Sequence, residues 1–234
     1  MATRSAQDGD GGRRAGTLVE IGIPTVEAVL RAFIGLPPPL QATVGVVVFA
    51  HGSGSSRHSR RNQFVAGSLQ ASGLATVLLD LLTDDEANDR RNVFDVELLA
   101  RRLRHAGDWA RSTSDPPLAS LPIGYFGAST GAAAALIAAA HDQRVAAIVS
   151  RGGRPDLAGQ SLEHVVAPTL LIVGGADTEV LSLNRDAASH LLCEHELVVV
   201  PGATHLFEEP GTLEQVAHLA CEWFLDHLVR PNAA

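Results

Sequence analysis

The sequence of 234 residues contains no lysine, and its 18 basic residues are all arginines. This absence excludes a lysine Schiff base and a phosphate-binding loop of the P-loop type, which needs a lysine. Aromatic residues make up only 4% of the chain, which disfavours a stacking platform for carbohydrates or an aromatic cage for cations. Cys193 and Cys221 are too few for a disulfide framework, and we expect two buried, reduced thiols.

Long hydrophobic segments are lacking as well. The longest run of small apolar residues, residues 132–140, has nine members, fewer than a helix needs to cross a bilayer. The first 15 residues are polar and without the apolar core of a signal peptide, which predicts a disordered tail (1–15) before a single domain (16–234). The net charge of −8 disfavours nucleic acid and anionic membranes as partners. We expect a cytoplasmic protein acting on a small molecule, with homodimer formation left open.

The apolar pattern predicts an α/β fold. Two early segments, 16–24 and 26–36, suggest an antiparallel edge, and the triple proline at 37–39 follows them. Continuous apolar runs then predict strands covered on both faces at residues 44–50, 75–82, 121–126, 145–149, 169–173 and 196–200. Amphipathic segments near 61–71, 93–111 and 212–229 lie between or after them. The prediction is a mostly parallel sheet of about eight strands with helices on both faces. Short connections, the longest near 150–167, leave little room for a cap domain.

The segment Gly127–Gly131 reads GASTG and matches the pattern G-x-S-x-G. A predicted strand precedes it and a run of small residues follows, which is the strand–turn–helix context that this pattern requires. A serine on such a tight turn stands above the edge of the sheet, and residues two before and two after it must be small. Ser129 is therefore the candidate nucleophile. The alternative is an ordinary glycine-rich turn that enters an alanine helix.

A serine hydroxyl needs a base, and the base needs an acid to orient it. Asp177 follows the strand predicted at 169–173, and His205 follows the strand predicted at 196–200. Both therefore lie at the carboxyl edge of the sheet, where ligands bind in open α/β sheets. Taken alone, Asp177 could be a helix cap, and His205 could be an ordinary surface residue. Asp156, after an earlier strand, is a rival for the acid.

The glycine-rich segment HGSGSS, residues 51–56, directly follows a predicted strand. Acyl transfer places negative charge on a carbonyl oxygen, which backbone N–H groups stabilise. We expect these donors to be the amides of Ser53 and of Thr130, the residue after the nucleophile. A phosphate loop is disfavoured because the segment matches neither the P-loop pattern nor G-x-G-x-x-G.

Three further residues are candidates for binding substrate. Arg151 and Arg154 follow the strand predicted at 145–149, where a guanidinium could pair with a substrate carboxylate. A structural salt bridge, for example to Asp156, is the alternative. Phe207 follows His205 and lines an acyl pocket or belongs to the core. The cluster at 190–195 (HLLCEH) fits structural zinc poorly, so no metal is expected.

The segments HGSGSS, GASTG, GGADTEV and GATH, in this order, resemble the α/β-hydrolase superfamily. The chain length, the absence of a cap and the phrase SRRNQFVA resemble its dienelactone hydrolase-like branch, over about residues 16–228. The resemblance implies a triad of Ser129, His205 and Asp177 and hydrolysis through an acyl-enzyme, without metal or cofactor. Dienelactone hydrolases proper use a cysteine nucleophile. The serine here favours a general carboxylic ester or lactone as substrate.

Two other functions are compatible with the same sequence. An acyltransferase or perhydrolase would use the same triad with an acceptor other than water. A ligand-binding protein could keep the fold without activity. Reaction of Ser129 with a fluorophosphonate would distinguish the hydrolase and acyltransferase hypotheses from the hypothesis of an inactive ligand-binding protein.

Overall fold

The computed structural model describes residues 18–114 and 118–229. The tail predicted at 1–15 lies outside the described residues. The described strands are β1 (Leu18–Pro24), β2 (Val29–Gly35), β3 (Gly45–Ala50), β4 (Leu74–Leu79), β5 (Ile123–Ala128), β6 (Val145–Arg151), β7 (Thr169–Gly174) and β8 (His195–Val200). They form one eight-stranded sheet in the order β1-β2-β4-β3-β5-β6-β7-β8.

Strand β2 is antiparallel to both of its neighbours, β1 and β4, and every other adjacent pair in the sheet is parallel. This confirms the predicted mostly parallel sheet with an antiparallel N-terminal edge. The carboxyl ends of β3, β5, β6, β7 and β8 consequently meet at one edge, because parallel strands share their direction. The loops that leave these strands build the site described below.

Helices cover both faces of the sheet. The described helices are α1 (Arg60–Ala71), α2 (Asp84–Ala87), α3 (Arg90–Val93), α4 (Val96–Ser112), α5 (Thr130–Ala140), α6 (Thr178–His190) and α7 (Thr212–Val229), and a 3₁₀ segment spans Pro155–His164. Alternate residues of β3 point to opposite sides of the sheet. Val46 and Val48 pack in the cluster that α4 and α5 cover, whereas Val47 and Phe49 pack against α1 and α7. Two cores thus hold the sheet, one on each face.

The segment near 93–111, expected to be one helix, is divided. Asp95 lies between α3 and α4, and its side chain accepts a hydrogen bond from the amide of Leu98, 2.9 Å away. A carboxylate that caps the first turn in this way starts a new helix. The Asp95 side chain therefore determines where α4 begins. The spacing of apolar residues alone did not indicate this boundary.

The two cysteines are free thiols, but they are only partly buried, so the expectation of full burial was wrong. Burial still raises the pKa of both thiols, which keeps them protonated at neutral pH. Among the described helices, none has the length and the apolar content that crossing a membrane would require.

Close packing of α7 against the sheet depends on a glycine in the middle of β5. A methyl group placed on Gly124 would lie 2.5 Å from the Phe224 ring of α7 and 3.2 Å from the carbonyl oxygen of Ala147. Phe224 is fully buried. The bare backbone of Gly124 therefore lets this ring lie directly on the sheet.

We predict that Gly124→Ala lowers the free energy of unfolding by about 1–3 kcal/mol, because the added methyl overpacks a filled core. Gly67→Ala is the matched control, since a methyl group at Gly67 of α1 would meet no atom within 4 Å. The control should gain about 0.5–1 kcal/mol from the better helix propensity of alanine. Urea unfolding of both variants measures the difference. Equal effects of the two substitutions would contradict this account of the packing.

Candidate active site

Ser129 lies on a strained turn between β5 and α5. Its φ and ψ are 52° and −123°, a backbone conformation that a residue with a side chain rarely adopts. A methyl group on Gly131 would overlap the carbonyl oxygens of Ala50 and His51, and one on Gly127 would overlap the backbone that begins α5. Glycine at both positions lets the turn form, as the sequence pattern predicted.

The residues predicted as base and acid are in contact. Nδ1 of His205 lies 2.7 Å from Oδ2 of Asp177, so the ring proton on Nδ1 is donated to the carboxylate. This arrangement leaves Nε2 free to accept a proton. Asp177 occupies the N-cap position of α6, yet its side chain makes no capping hydrogen bond. The carboxylate is therefore available to His205.

The rival acid is engaged elsewhere. Asp156 forms two hydrogen bonds of 2.8 Å with the guanidinium of Arg154. Of the two predicted candidates, Asp177 is the one that reaches His205.

Ser129 and His205 line the same cavity, which has a volume of about 220 Å³. No hydrogen bond joins the Ser129 hydroxyl to His205 in the described part of the chain. Such catalytic hydrogen bonds often close only when substrate is bound. The loop after β3 packs closely against Ser129, since a methyl group on Gly52 would lie 2.9 Å from Cβ of Ser129.

The two expected oxyanion donors lie beside each other. The amide of Ser53 donates a 2.9 Å hydrogen bond to Oγ1 of Thr130, which ties the loop after β3 to the start of α5. Thr130 is the first residue of α5, so its own amide belongs to the turn that has no acceptor within the helix. Both amides are thus near Ser129, and one of them is already paired with a hydroxyl.

His51 fixes the loop that carries Ser53. Its Nδ1 lies 2.9 Å from the carbonyl oxygen of Gly52, and its Nε2 accepts a hydrogen bond of 3.2 Å from the amide of Leu81, just after β4. Only a neutral ring can donate at one nitrogen and accept at the other. Burial lowers the pKa of His51, which favours this neutral form.

The three predicted substrate-binding residues have different positions. Arg151 is the last residue of β6 and lines the cavity beside Ser129. Arg154 is absent from the cavity lining and is held by its ion pair with Asp156, the structural alternative. Phe207 is 2% exposed and packs in the core, so the expectation of an acyl-pocket residue was wrong there. Its neighbour Leu206 lines the cavity instead.

Sequence reasoning did not identify the contribution of α1. Ser59, Arg61 and Asn62, all at the start of this helix, line the cavity. The sequence SRRN carries these residue types, but which of them face the cavity depends on how α1 packs against α7. A second cavity of about 140 Å³ lies on the other side of the loop after β3, where Leu82, Val93 and Leu99 supply an apolar wall.

The described residues contain no cluster of three or more histidine, cysteine, aspartate or glutamate side chains that could hold a metal ion. His190, Cys193 and His195, the group weighed for zinc, accordingly form no such cluster.

Comparisons with known proteins identify relatives of this chain and of its fold. A dienelactone hydrolase from Anabaena variabilis is 50% identical, and its crystal structure superposes with a TM-score of 0.86 over 92% of this chain and 100% of its own. Est1E from Butyrivibrio proteoclasticus, 16% identical with a TM-score of 0.76 over 90% of this chain, shares the fold. No protein-family model matches the chain.

A protein of Mycobacterium tuberculosis, provisionally named a phosphoribosyl transferase, is 64% identical over 189 residues. These residues make up 80% of this chain but only 42% of the relative, so the chain spans less than half of that protein. The Anabaena enzyme, by contrast, is matched over its whole length at 50% identity. The chain described here therefore belongs to the dienelactone hydrolase family of the α/β-hydrolase superfamily.

Proposed function

We propose that the protein is a serine hydrolase that cleaves carboxylic esters or lactones through an acyl-enzyme. The observation that carries this proposal is the shared cavity, in which Ser129 on its strained turn faces His205, itself bonded to Asp177. A hydroxyl, an imidazole with a free Nε2 and an orienting carboxylate are the parts that nucleophilic acyl transfer needs.

The reaction proceeds in two steps of the same kind. Ser129 Oγ attacks the carbonyl carbon while His205 Nε2 takes the hydroxyl proton, and His205 then returns that proton to the leaving oxygen. Water repeats the sequence on the acyl-enzyme and releases the acid. Asp177 holds the imidazole in the required tautomer and stabilises its cation. The amides of Ser53 and Thr130 receive the negative charge of the tetrahedral intermediates.

The cavities suggest where a small substrate lies. Leu206, Arg151 and the polar residues at the start of α1 would surround one part of the substrate. The second cavity has an apolar wall of Leu82, Val93 and Leu99 beside Asp80 and Asp84, and this wall suits a small hydrocarbon group of the substrate. We propose a small ester or lactone with one polar and one apolar part.

Phosphoribosyl transfer is a second candidate, which the name of the Mycobacterium tuberculosis relatives raises. The Anabaena protein, which this chain matches over its whole length, is a dienelactone hydrolase by name, whereas the matched part is 42% of the Mycobacterium tuberculosis relatives. We therefore propose ester hydrolysis for the region that this chain represents. An acyltransferase or perhydrolase would differ only in the acceptor that reaches the acyl-enzyme.

We predict that Ser129→Ala lowers kcat for p-nitrophenyl esters by a factor of about 10⁴ or more, because no other group can form the acyl-enzyme. A fluorophosphonate should label the unmodified protein but not this variant. Ser112→Ala, which removes an exposed hydroxyl at the end of α4, should behave as the unmodified protein does. Esterase activity retained by Ser129→Ala would refute the assignment of the nucleophile.

The choice of acid is tested by a matched pair of carboxylates. Asp177→Asn should lower kcat about 10²- to 10⁴-fold, because the amide favours the wrong tautomer of His205. Asp156→Asn removes a negative charge from a nearby loop but no contact with His205, and kcat should change by less than about threefold. The reverse order of effects would identify Asp156 as the acid.

The pH dependence of stability follows from His51. Burial lowers its pKa from 6.5, so below about pH 6.5 the unfolded chain binds a proton that the folded protein does not. This contribution to stability is complete above pH 6.5 and declines as pH falls toward the folded-state pKa, by up to about 1.4 kcal/mol per pH unit.

Urea unfolding at pH 7.5 and pH 5.5 measures this effect. His51→Gln should show a smaller loss of stability between the two pH values than the unmodified protein. His164→Gln, which replaces an exposed imidazole, should not reduce the loss. The same pH dependence in the unmodified protein and in His51→Gln would exclude this role for the buried ring.

A further inference from the structure

The cavity beside Ser129 contains an arginine whose charge is not neutralised. Arg151 is only 7% exposed, and its Nη2 lies 3.4 Å from Oδ1 of Asn62. Its Nε and Nη1 atoms have no hydrogen-bond partner among the described residues. Burial, and then the positive charge of Arg61, lower its pKa to about 10, so it remains protonated at neutral pH. A buried cation without a counter-charge is destabilising, and a bound anion would relieve that cost.

A second guanidinium reinforces the positive charge. Arg61 lines the same cavity, and its Nη1 lies 3.1 Å from Oε1 of Glu208 in a pair that is mostly exposed. Its Nε is buried and has no partner in the described structure. Glu208 therefore accepts a hydrogen bond from Nη1 of this guanidinium, and the Nε donor remains available to a ligand.

Apart from Gly52, Ala128 and Leu206, the rest of the lining is polar, and it contains no acid. Ser55, Ser59 and Asn62 contribute to it, and neither aspartate nor glutamate lies among the lining residues. Ser59 is the N-cap of this 12-residue helix and lines the cavity, so the first turn of α1 begins there; its Oγ already accepts a hydrogen bond from the Asn62 amide, 3.3 Å away. The N-terminus of a helix carries partial positive charge and attracts anions.

The arrangement of the donors indicates which anion fits. They come from three separate elements: β6, the first turn of α1, and the loop after β3. A planar carboxylate is satisfied by the two-pronged edge of one guanidinium. A phosphate group presents three terminal oxygens in different directions and carries up to two negative charges. Donors that converge from three elements, with two guanidiniums among them, suit the phosphate better.

The subsite is next to the nucleophile. Ala128 pairs with Arg151 across β5 and β6, and the Ser129 amide donates a 3.3 Å hydrogen bond to the Arg151 carbonyl oxygen. We propose that Arg151, Arg61 and the first turn of α1 bind a phosphate group, and that Ser129 acts on carboxylic esters of phosphorylated alcohols. This inference rests on the proposed esterase function. Attack by Ser129 breaks the acyl–oxygen bond of the substrate and releases the phosphorylated alcohol, water then releases the carboxylic acid from Ser129, and the phosphorus–oxygen bonds stay intact.

The first test compares kcat/KM for three esters with the same acyl group, whose alcohol parts are neutral, carboxylated or phosphorylated. The phosphorylated ester should be the best substrate. Arg151→Met should lower its kcat/KM roughly 10- to 100-fold, the effect of losing hydrogen bonds to a charged group, and this loss should exceed the loss for the neutral ester. Arg91→Met, which removes an exposed arginine from α3, is the charge-matched control and should alter neither. Preference for the neutral or the carboxylated ester would overturn the assignment of phosphate.

The second test does not depend on turnover. Calorimetry should detect binding of inorganic phosphate to Ser129→Ala, and the added substitution Arg151→Met should abolish it. Arg61→Met in the same background should weaken it and serves where Arg151→Met does not fold. Absence of phosphate binding to Ser129→Ala would refute the subsite whatever esters are cleaved. Phosphate binding without hydrolysis of any ester or fluorophosphonate labelling would support the subsite and refute the proposed esterase function instead.

Discussion

The close approach of the loop after β3 to the turn at Ser129 is the constraint on which the site depends. Two backbone segments from neighbouring strands pass so near each other that a methyl group at Gly52 or Gly131 would collide with atoms of the other segment. This contact brings the amides of Ser53 and Thr130 together beside the nucleophile. Strand order makes the approach possible, because β3 and β5 are adjacent and parallel. The left-handed backbone at Ser129 is held by packing on both sides of it.

The electrostatics of the cavity contrast with those of the whole chain. The net charge is −8, yet the cavity lining contains Arg61 and Arg151 and no acidic side chain. Among the described residues, Glu208 and Asp177 contact lining residues, pairing with Arg61 and His205, but neither lines the cavity itself. A local positive potential inside an acidic protein favours anionic ligands that enter the cavity without making the whole surface attractive to polyanions.

Much of the fold and the core of the site could be predicted from the sequence, for identifiable reasons. Buried parallel strands are continuous apolar runs, and the residues after each strand must lie at one edge, so Ser129, Asp177 and His205 were located without coordinates. Features that depend on packing between distant elements could not be predicted. Arg61 lines the cavity only because of how α1 packs. Phe207 turns into the core at a positive φ of 54°. Arg154 forms an ion pair with the carboxylate of Asp156, two residues away. The spacing of motifs in the sequence predicts the order of the candidate catalytic residues along the chain. The hydrogen-bond partners and the burial of each side chain depend on the tertiary structure.

The hydrogen bond from the Ser53 amide to the Thr130 hydroxyl has a consequence for how the site distinguishes the stages of a reaction. A partly buried amide left without an acceptor in the resting protein would be unfavourable, and the Thr130 hydroxyl oxygen supplies that acceptor. A carbonyl group must therefore displace an existing acceptor before it can use this amide. A neutral carbonyl oxygen accepts a hydrogen bond from this amide about as well as a hydroxyl does. A negatively charged oxygen accepts a much stronger one and therefore displaces the hydroxyl. For the oxyanion role that we propose for this amide, the exchange favours the tetrahedral species over the bound ester, which is the selectivity that rate acceleration requires.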